Sequence, residues 1–270
     1  MGKIIAVANQ KCGVGKTTTS INLSACLADA GYRILLIDMD PQANATSGCG
    51  AGLDSLGGSV YEVILGHKPA AEVICSTAVP RLSLLPSHIR LAGAEVEMAG
   101  IVARERQLVK HLAAIRDQYD FILIDCPPSL GLLTINALTV ADQVLIPVQC
   151  EYYALEGLGK LHESLRSVQR YLNPALEISG ILLTMYDERL QLSRHVAGEV
   201  QAHFADKVFR TAIRRNISLA AAPSFGMPVI HYAPQSVGAF NYRSLGEELA
   251  AGVRPAAPAY GNEEPEKLTA

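Results

Sequence analysis

The sequence predicts an α/β fold: a single domain with a mostly parallel, twisted sheet and helices on both faces. Short apolar runs that are continuous rather than alternating recur along the chain, which is typical of strands buried on both faces. Segments with helical periodicity separate these runs, as the crossovers between parallel strands require. A glycine-rich segment directly after the first apolar run adds the order of strand, loop and helix that is typical of phosphate binding.

The elements follow in chain order. Strands are predicted at residues 3–8, 33–38, 81–86, 119–125, 143–148 and 178–184. Helical periodicity falls at residues 16–30, 61–65, 91–117, 155–172, 190–204 and 236–251. Gly31 ends the first helix, because glycine accepts the left-handed conformation that often follows a helix. The stretch 41–58 is rich in turn-forming residues and is predicted as loop.

The composition fits a globular protein with a large buried core. Of the 270 residues, 49% are hydrophobic and 18% are charged, and the net charge is −3. Because the chain as a whole is not polycationic, contact with nucleic acid requires a local basic patch. No apolar run reaches the roughly 18 residues of a membrane span, and the first residues resemble a strand rather than a signal peptide. We therefore expect a cytoplasmic protein without a membrane anchor.

The organisation of the chain is predicted to be simple. No domain boundary or internal repeat is evident, so residues 1–254 are predicted to form one domain. Residues 255–270 are rich in Pro, Ala and Glu, and this composition predicts a disordered tail. Six cysteines are scattered without a C-x-x-C pair, which argues against structural zinc and for free thiols.

The glycine-rich segment is a candidate phosphate-binding loop. It consists of Lys11, Cys12, Gly13, Val14, Gly15, Lys16, Thr17 and Thr18. The glycines allow backbone N–H groups to face an anion, and the start of the following helix adds unpaired donors. Lys16 supplies a charge for the β- and γ-phosphates, and Thr17 supplies a hydroxyl for Mg²⁺. The alternative is a glycine-rich turn with incidental lysines, against which the preceding strand and the following helix argue.

This loop departs from the common form G-x-x-x-x-G-K-[ST] at its front. Gln10 occupies the position of the first glycine, and a second lysine, Lys11, follows it. In so tight a loop, two lysines cannot both approach the same phosphates comfortably. One of them could therefore point outward, toward the nucleotide of another subunit.

Carboxylates follow two of the predicted strands. Asp38 and Asp40 come at the end of the second strand, and Asp125 ends the fourth. Parallel strands place their carboxyl ends at one edge of the sheet, where the glycine-rich loop also lies. A carboxylate there suits a phosphate-bound Mg²⁺, often through a water, and Asp125 fits that role. Asp40 could orient an attacking water. Taken singly, each could instead be a helix cap or a turn former.

Five stretches carry a resemblance to a known family. They are KCGVGKTTTSINL at 11–23, LLIDMDPQANAT at 35–46, FILIDCPPSLGLLTINAL at 121–138, ILLTMYDERLQLS at 181–193 and RRNISLAAAPSFGMPVIHYAPQSVGAFNY at 214–242. The chain resembles the ParA/Soj branch of the P-loop NTPases with a deviant Walker A loop, the family that also contains MinD. The stretches span nearly the whole chain, so the resemblance is not confined to one motif.

The resemblance implies a weak ATP hydrolase that uses ATP and Mg²⁺. Lys11 resembles the signature lysine that reaches the phosphates of the partner subunit in an ATP-bound sandwich homodimer. Lys16 and Thr17 resemble the phosphate and Mg²⁺ ligands. Asp40 resembles the residue that positions the hydrolytic water and is also a candidate metal ligand, and Asp125 resembles the Walker B acid.

The resemblance also implies contacts on the base side and macromolecular partners. Asn216, in the segment Arg214-Arg215-Asn216, resembles the adenine-side asparagine of the family, and Arg214 is a further candidate nucleotide contact. The ATP-bound dimer is expected to bind double-stranded DNA without sequence specificity, in association with the nucleoid. A ParB-like centromere-binding protein is expected to stimulate hydrolysis and so release the DNA.

Three positions depart from the family pattern. Cys12 stands where the family usually has glycine, so its thiol must point out of the loop or its φ must be negative. Arg214 replaces the proline of an I-P-R-N motif. Ser218 replaces an arginine implicated in DNA binding, so the usual DNA footprint is not expected in full.

A local basic patch is predicted near the end of the sixth strand. Between Arg189 and Arg215, six basic residues stand against two acidic ones. Such a patch would neutralise phosphates without distinguishing bases, and a dimer doubles it. The candidate DNA contacts are Arg189, Arg194, Arg214 and Arg215. Arg189 comes first, because it falls at the position of the family's DNA-contacting arginine. The alternative is an ordinary solvated helix face.

The resemblance implies an ATPase that partitions DNA, and three other functions compete with this one. A MinD-like regulator of division-site placement would end in a basic amphipathic helix, whereas residues 255–267 are acidic and interrupted by prolines. An iron–sulfur reductase would need cluster cysteines shared across a dimer, and Cys126 and Cys150 fit no such pattern. A biosynthetic enzyme would need a substrate pocket that the sequence does not identify. The cargo stays open: a chromosome, a plasmid or another cellular body.

Overall fold

The structure confirms the predicted α/β fold, with one sheet covered by helices on both faces. It is a computed structural model and describes residues 2–52, 57–151 and 154–251. Seven strands lie in the described residues: β1 (Lys3–Val7), β2 (Ile34–Asp38), β3 (Cys75–Ser76), β4 (Leu82–Leu85), β5 (Phe121–Asp125), β6 (Gln143–Gln149) and β7 (Glu177–Thr184). Their order across the sheet is β3-β4-β2-β5-β1-β6-β7, and every neighbouring pair is parallel except β3 and β4.

The α-helices connect these strands. In the same described residues they are α1 (Lys16–Asp29), α2 (Asn44–Gly48), α3 (Val60–Ile64), α4 (Ala70–Val73), α5 (Leu91–Glu97), α6 (Gln107–Leu112), α7 (Leu132–Val140), α8 (Ala154–Tyr171), α9 (Gln191–Phe204), α10 (Ile217–Ala221), α11 (Val229–Tyr232) and α12 (Val237–Ala250).

Two hydrophobic cores, one on each face of the sheet, explain why the strands are continuously apolar. Along β1, Ile4 and Ala6 pack into one core, and Ile5 and Val7 pack into the other. Buried side chains of α5, α7, α8 and α9 belong to the first core, and those of α1 and α12 belong to the second. Since both faces are covered, successive residues of a strand are all buried.

The first helix is confirmed at both ends. Gly15, with a φ of 89°, directly precedes α1, and Gly31, with a φ of 100°, follows its last turn. Glycine adopts a positive φ at little cost because it has no Cβ. These two glycines therefore mark the start and the end of α1, the helix that follows the candidate phosphate loop.

The helical segment predicted over 91–117 is wrong as a single helix. α5 ends at Glu97, 3₁₀ turns follow it, and α6 begins only at Gln107. Ala103 lies between the two helices with a φ of 54°, a left-handed conformation that cannot continue a right-handed helix. The apolar spacing is retained on both pieces, so Leu91 and Leu108 are both buried.

Other elements are absent from the sequence prediction. β3 is a two-residue edge strand, too short to show a pattern. α2 lies within the turn-rich stretch 41–58. α7 is apolar on nearly every side and buried over most of its length, so it lacks the polar face that reveals a surface helix. The predicted boundary after residue 254 and the predicted tail, 255–270, lie outside the described residues.

Candidate nucleotide-binding site

The predicted site residues meet at the carboxyl edge of the sheet. Asp38 and Asp125 lie in register at the ends of the adjacent strands β2 and β5. The loop between β1 and α1 lies beside them, because β1 is the other neighbour of β5. The parallel topology therefore brings together groups that are far apart in the chain.

The candidate phosphate loop has the backbone that its glycines predict. Gly13 has a φ of 75°, and a Cβ built there meets nothing within 4 Å, so the conformation rather than space calls for glycine. Thr184, at the end of β7, donates from Oγ1 to the Val14 carbonyl oxygen at 2.8 Å and fixes the loop to the sheet. Sequence reasoning missed Thr184, because this contact joins residues 170 positions apart. The side chain of Cys12 is exposed, as expected for a thiol that points out of the loop.

The two lysines of the loop point in different directions. Lys16 is buried, and its Nζ donates to the carbonyl oxygen of Lys11 at 3.1 Å. Burial lowers the pKa of the Lys16 ammonium, and the nearby Asp125 carboxylate opposes that shift. The Lys11 side chain is partly exposed, and its Nζ pairs with Glu151 Oε2 at 3.2 Å. The two ammonium groups therefore have separate partners, one inside the loop and one near the surface.

Asp125 is enclosed by hydroxyl groups of α1. Thr17 Oγ1 donates to Asp125 Oδ2 at 2.8 Å, and Ser20 Oγ donates to Asp125 Oδ1 at 2.8 Å. The carboxyl group is fully buried. Burial raises its pKa, and the charge of Asp38 raises it further, while the two hydroxyl groups favour the charged form. Ser20 was not predicted; its position one helical turn after Lys16 and Thr17 is the signal that could have identified it.

Asp38 and Asp40 differ in their surroundings. Asp38 is fully buried, and its carboxylate accepts hydrogen bonds from the Thr46 amide and hydroxyl and from the Asp40 amide. Burial raises the pKa of Asp38, and the Thr46 hydroxyl favours its charged form. Asp40 lies two residues beyond the end of β2, and its Oδ1 accepts a hydrogen bond from the Gln42 amide at 2.9 Å. Asp38 therefore has a structural position. Asp40 is also buried, in the loop that follows β2, and its charge acts on Lys16 and Asp125.

The donor set fits Mg²⁺ that is shared with a phosphate. The groups at this edge are the Thr17 hydroxyl and the carboxyl groups of Asp125 and Asp40, which are oxygen ligands of the kind that Mg²⁺ prefers. Among residues 2–52, 57–151 and 154–251, no cluster of three or more His, Cys, Asp or Glu side chains could hold a metal by itself. Mg²⁺ commonly combines one or two protein ligands with phosphate oxygens and waters, and this sparse set suits that mode.

The segment that contains Arg214 and Asn216 comes after α9 and returns to the carboxyl end of β7. Tyr186, two residues beyond β7, forms a parallel bridge with Arg214. Asn216 is the N-cap of α10, and its Oδ1 accepts from the Ser218 amide at 3.0 Å. The Arg214 side chain pairs with Glu188 at 2.8 Å. These contacts give both residues a structural role.

The predicted DNA contacts are gathered around two acidic residues that precede them. Arg189 makes a bidentate pair with Asp187, at 2.9 and 2.7 Å, and Arg194 donates to the carbonyl oxygen of Glu188 at 2.9 Å. The bond from Arg189 lowers the pKa of Asp187 to about 2. The side chain of Arg189 is nonetheless 84% exposed, and Arg215 is also exposed.

The charge balance of this patch needs correction. The sequence count began at Arg189 and therefore left out Asp187 and Glu188. With them, six basic residues stand against four acidic ones over residues 187–215, a local excess of two. The arginines are brought together as predicted, but carboxylates already occupy part of their hydrogen-bonding capacity.

The fold and this site define a P-loop ATPase with a deviant Walker A loop. A family model described as "AAA domain" matches residues 2–178. The chain is 53% identical over 251 residues to the sporulation initiation inhibitor protein Soj of Bacillus subtilis, covering 93% of this chain and 99% of that protein. It is 48% identical to the chromosome partitioning protein ParA of Myxococcus xanthus, covering 96% of this chain and 91% of that protein.

A solved structure has the same fold. Cobyrinic acid a,c-diamide synthase from Mycobacterium smegmatis, with bound ATP analog and magnesium, matches with a TM-score of 0.83 and 36% identity, covering 95% of this chain and 99% of that one. The chain belongs to the ParA/Soj family of chromosome-partitioning ATPases. It is an ATP hydrolase that uses ATP and Mg²⁺. None of the helices formed by residues 2–52, 57–151 and 154–251 is long and apolar enough to cross a bilayer.

Proposed function

We propose that this chain partitions DNA through a cycle driven by ATP. Two copies enclose two nucleotides in a sandwich homodimer, and the dimer binds double-stranded DNA of the nucleoid without sequence specificity. A ParB-like centromere-binding partner stimulates hydrolysis, which separates the dimer and releases the DNA. The protein works in the cytoplasm without a membrane anchor. Its cargo is a chromosome or a plasmid.

The residues at the sheet edge divide the work on ATP. The backbone of Cys12, Gly13, Val14, Gly15 and Thr18 cradles the phosphates, and Lys16 neutralises them from within the subunit. Thr17 and Asp125 hold Mg²⁺, with Asp40 as a further ligand. The metal supplies positive charge against the phosphate oxygens. Asp40 orients the attacking water.

The different directions of the two lysines carry this proposal. Lys16 lies inside the loop, whereas Lys11 extends from its front to Glu151 near the surface. A lysine that is turned away from its own loop is available to the phosphates of a second subunit. Lys11 would thus complete the catalytic site of the partner, and hydrolysis would depend on dimer formation.

The base and the DNA are assigned to the segments that follow β7. The family resemblance assigns Arg214 and Asn216 to the adenine side, and the bridge between Tyr186 and Arg214 places Arg214 beside the end of β7. Arg189, Arg194, Arg214 and Arg215 bind DNA phosphates, and a dimer presents two such patches. Because Asp187 and Glu188 already pair with two of these arginines, phosphates must compete with carboxylates, and we expect modest affinity per subunit and strong salt dependence.

A DNA-binding titration tests this function. Binding is measured with no nucleotide, with ADP and with a non-hydrolysable ATP analogue, on two unrelated duplexes and at two salt concentrations. We expect binding that requires the ATP analogue, is equal on both duplexes and weakens with salt. Binding to neither duplex in any nucleotide state would contradict the proposal and favour a biosynthetic ATPase. Recruitment to anionic vesicles in place of DNA would favour a MinD-like function.

A further inference from the structure

A closed ring of buried hydrogen bonds lies beneath the loop that carries Asp40. Asp38 Oδ2 accepts from the Thr46 amide at 2.8 Å and from the Thr46 hydroxyl at 2.7 Å. Asp38 Oδ1 accepts from the Asp40 amide at 3.1 Å. The Asp38 carboxylate therefore connects Thr46, in α2, to the start of the loop that carries Asp40.

Ser87 closes this ring from the neighbouring strand. It lies two residues beyond β4, and its amide donates to Thr46 Oγ1 at 2.9 Å. Its hydroxyl donates to the carbonyl oxygen of Asp40 at 2.7 Å. Thr46 and Ser87 have no exposed surface. The backbone of Asp40 is thus held on its amide side by Asp38 and on its carbonyl side by Ser87.

The loop needs such support, because its own geometry is strained. Ala43 adopts a φ of 54°, a left-handed conformation that costs a residue with a Cβ free energy. Within the loop, the Ala43 amide bonds to the Asp40 carbonyl oxygen and the Gln42 amide bonds to Asp40 Oδ1, both at 2.9 Å. Strained backbone persists where surrounding contacts determine it, and the buried ring supplies those contacts.

We propose that Thr46 and Ser87 are positioning residues for ATP hydrolysis, because they hold the backbone of Asp40 and so aim its carboxyl group. This rests on the proposed role of Asp40. Neither residue belongs to the phosphate loop, whose lysine and threonine are carried by α1. A misplacement of about 1 Å in a catalytic group can cost on the order of 100-fold in rate. Loss of the ring should therefore slow hydrolysis while ATP binding is retained.

Three substitutions distinguish the loss of hydrogen bonds in the ring from a change in side-chain packing. Ser87→Ala removes the hydroxyl that holds the Asp40 carbonyl, and Thr46→Val removes the hydroxyl shared by Asp38 and Ser87 while it keeps the side-chain shape. We expect each to lower kcat on the order of 10- to 100-fold, with the Kd for a non-hydrolysable ATP analogue within about twofold of wild type. Thr46→Ser keeps the hydroxyl, and we expect it to retain most of the wild-type kcat.

A matched control lies at the opposite edge of the sheet. Thr139 is buried near the end of α7, and its Oγ1 donates to the Ile135 carbonyl oxygen at 2.7 Å. Thr139→Val removes a buried hydroxyl without touching the ring, and we expect wild-type kcat. Amide hydrogen exchange in the nucleotide-free protein supplies a readout other than activity. Exchange over residues 40–47 should be faster in Ser87→Ala and Thr46→Val than in wild type or Thr139→Val.

Two results would overturn the proposal. One is a kcat within about twofold of wild type in both Ser87→Ala and Thr46→Val; the other is a loss in Thr46→Ser as large as that in Thr46→Val. Asp40→Ala distinguishes failure of this positioning role from failure of the proposed role of Asp40 in hydrolysis. If Asp40→Ala hydrolyses ATP at the wild-type rate, both fail together. If Asp40→Ala is inactive and both Ser87→Ala and Thr46→Val are fully active, only the positioning role fails.

Discussion

Replacement of Glu151 by glutamine should strengthen the ATP-dependent dimer. In the single subunit, Lys11 Nζ pairs with Glu151 Oε2 at 3.2 Å. Lys11 must leave this partner before it can reach the phosphates of a second subunit. Glutamine keeps the size of the side chain but removes its charge, so the free subunit loses an interaction that competes with dimer formation.

The exposure of the pair sets the size of the effect. The Lys11 and Glu151 side chains are 36% and 48% exposed, so solvent screens their attraction. Exposed pairs of this kind contribute about 0.2–1 kcal/mol each. Two pairs break when two subunits join, which gives about 0.4–2 kcal/mol in total, or a dimer Kd lower by about 2- to 30-fold at about 1.4 kcal/mol per factor of ten.

Sedimentation equilibrium with a non-hydrolysable ATP analogue measures this Kd. Glu177→Gln is the matched control, because Glu177 is exposed at the start of β7, away from the site, and its substitution changes the net charge equally. The gain should shrink at high salt, because solvent ions screen the attraction between Lys11 and Glu151. An unchanged or weaker dimer in Glu151→Gln would refute the reasoning.

Other substitutions test the assigned roles one at a time. Lys16→Ala should abolish nucleotide binding, since it removes the buried cation of the loop. Wild-type affinity for ATP in an equilibrium titration would contradict the assignment of residues 11–18 as a phosphate loop. Asp40→Ala should keep ATP binding and accumulate the ATP-bound dimer, and phosphate release at the wild-type rate would count against its role. Arg189→Glu should lower affinity for every duplex alike and reduce the salt slope by about 1 per subunit. Lys3→Glu makes the same change in net charge at the opposite edge of the sheet, so equal losses in the two variants would show that the effect is one of net charge alone.

Local spacing and the parallel topology were enough to predict the center of the site. The loop follows from its two glycines and the lysine and threonine after them, and the carboxyl groups follow from their positions at strand ends. Because parallel strands end at one edge, Asp125 and Thr17 could be expected to meet, and they lie 2.8 Å apart. The buried Asp38 could not be told from Asp40 in this way, since both come at the end of the same strand.

Contacts between distant segments could not be predicted. Lys11 and Glu151 are 140 positions apart, and Ser87 and Asp40 are 47 positions apart. No local pattern marks either pair, because each depends on how neighbouring strands align. The basic patch shows the same limit. Asp187 and Glu188 lie just before its first arginine, and only the folded chain shows that Asp187 pairs with Arg189 and Glu188 with Arg214.

The shared site is the central claim, and the dimerisation of Lys11→Ala tests it most directly. Sedimentation equilibrium is measured with Mg²⁺ and a non-hydrolysable ATP analogue, beside an equilibrium titration of nucleotide binding. Lys110→Ala, an exposed lysine on α6, is the control. We predict that Lys11→Ala binds the analogue but remains a monomer, while wild type and Lys110→Ala form dimers. Dimer formation by Lys11→Ala with the wild-type Kd would contradict the claim that Lys11 completes the site of its partner.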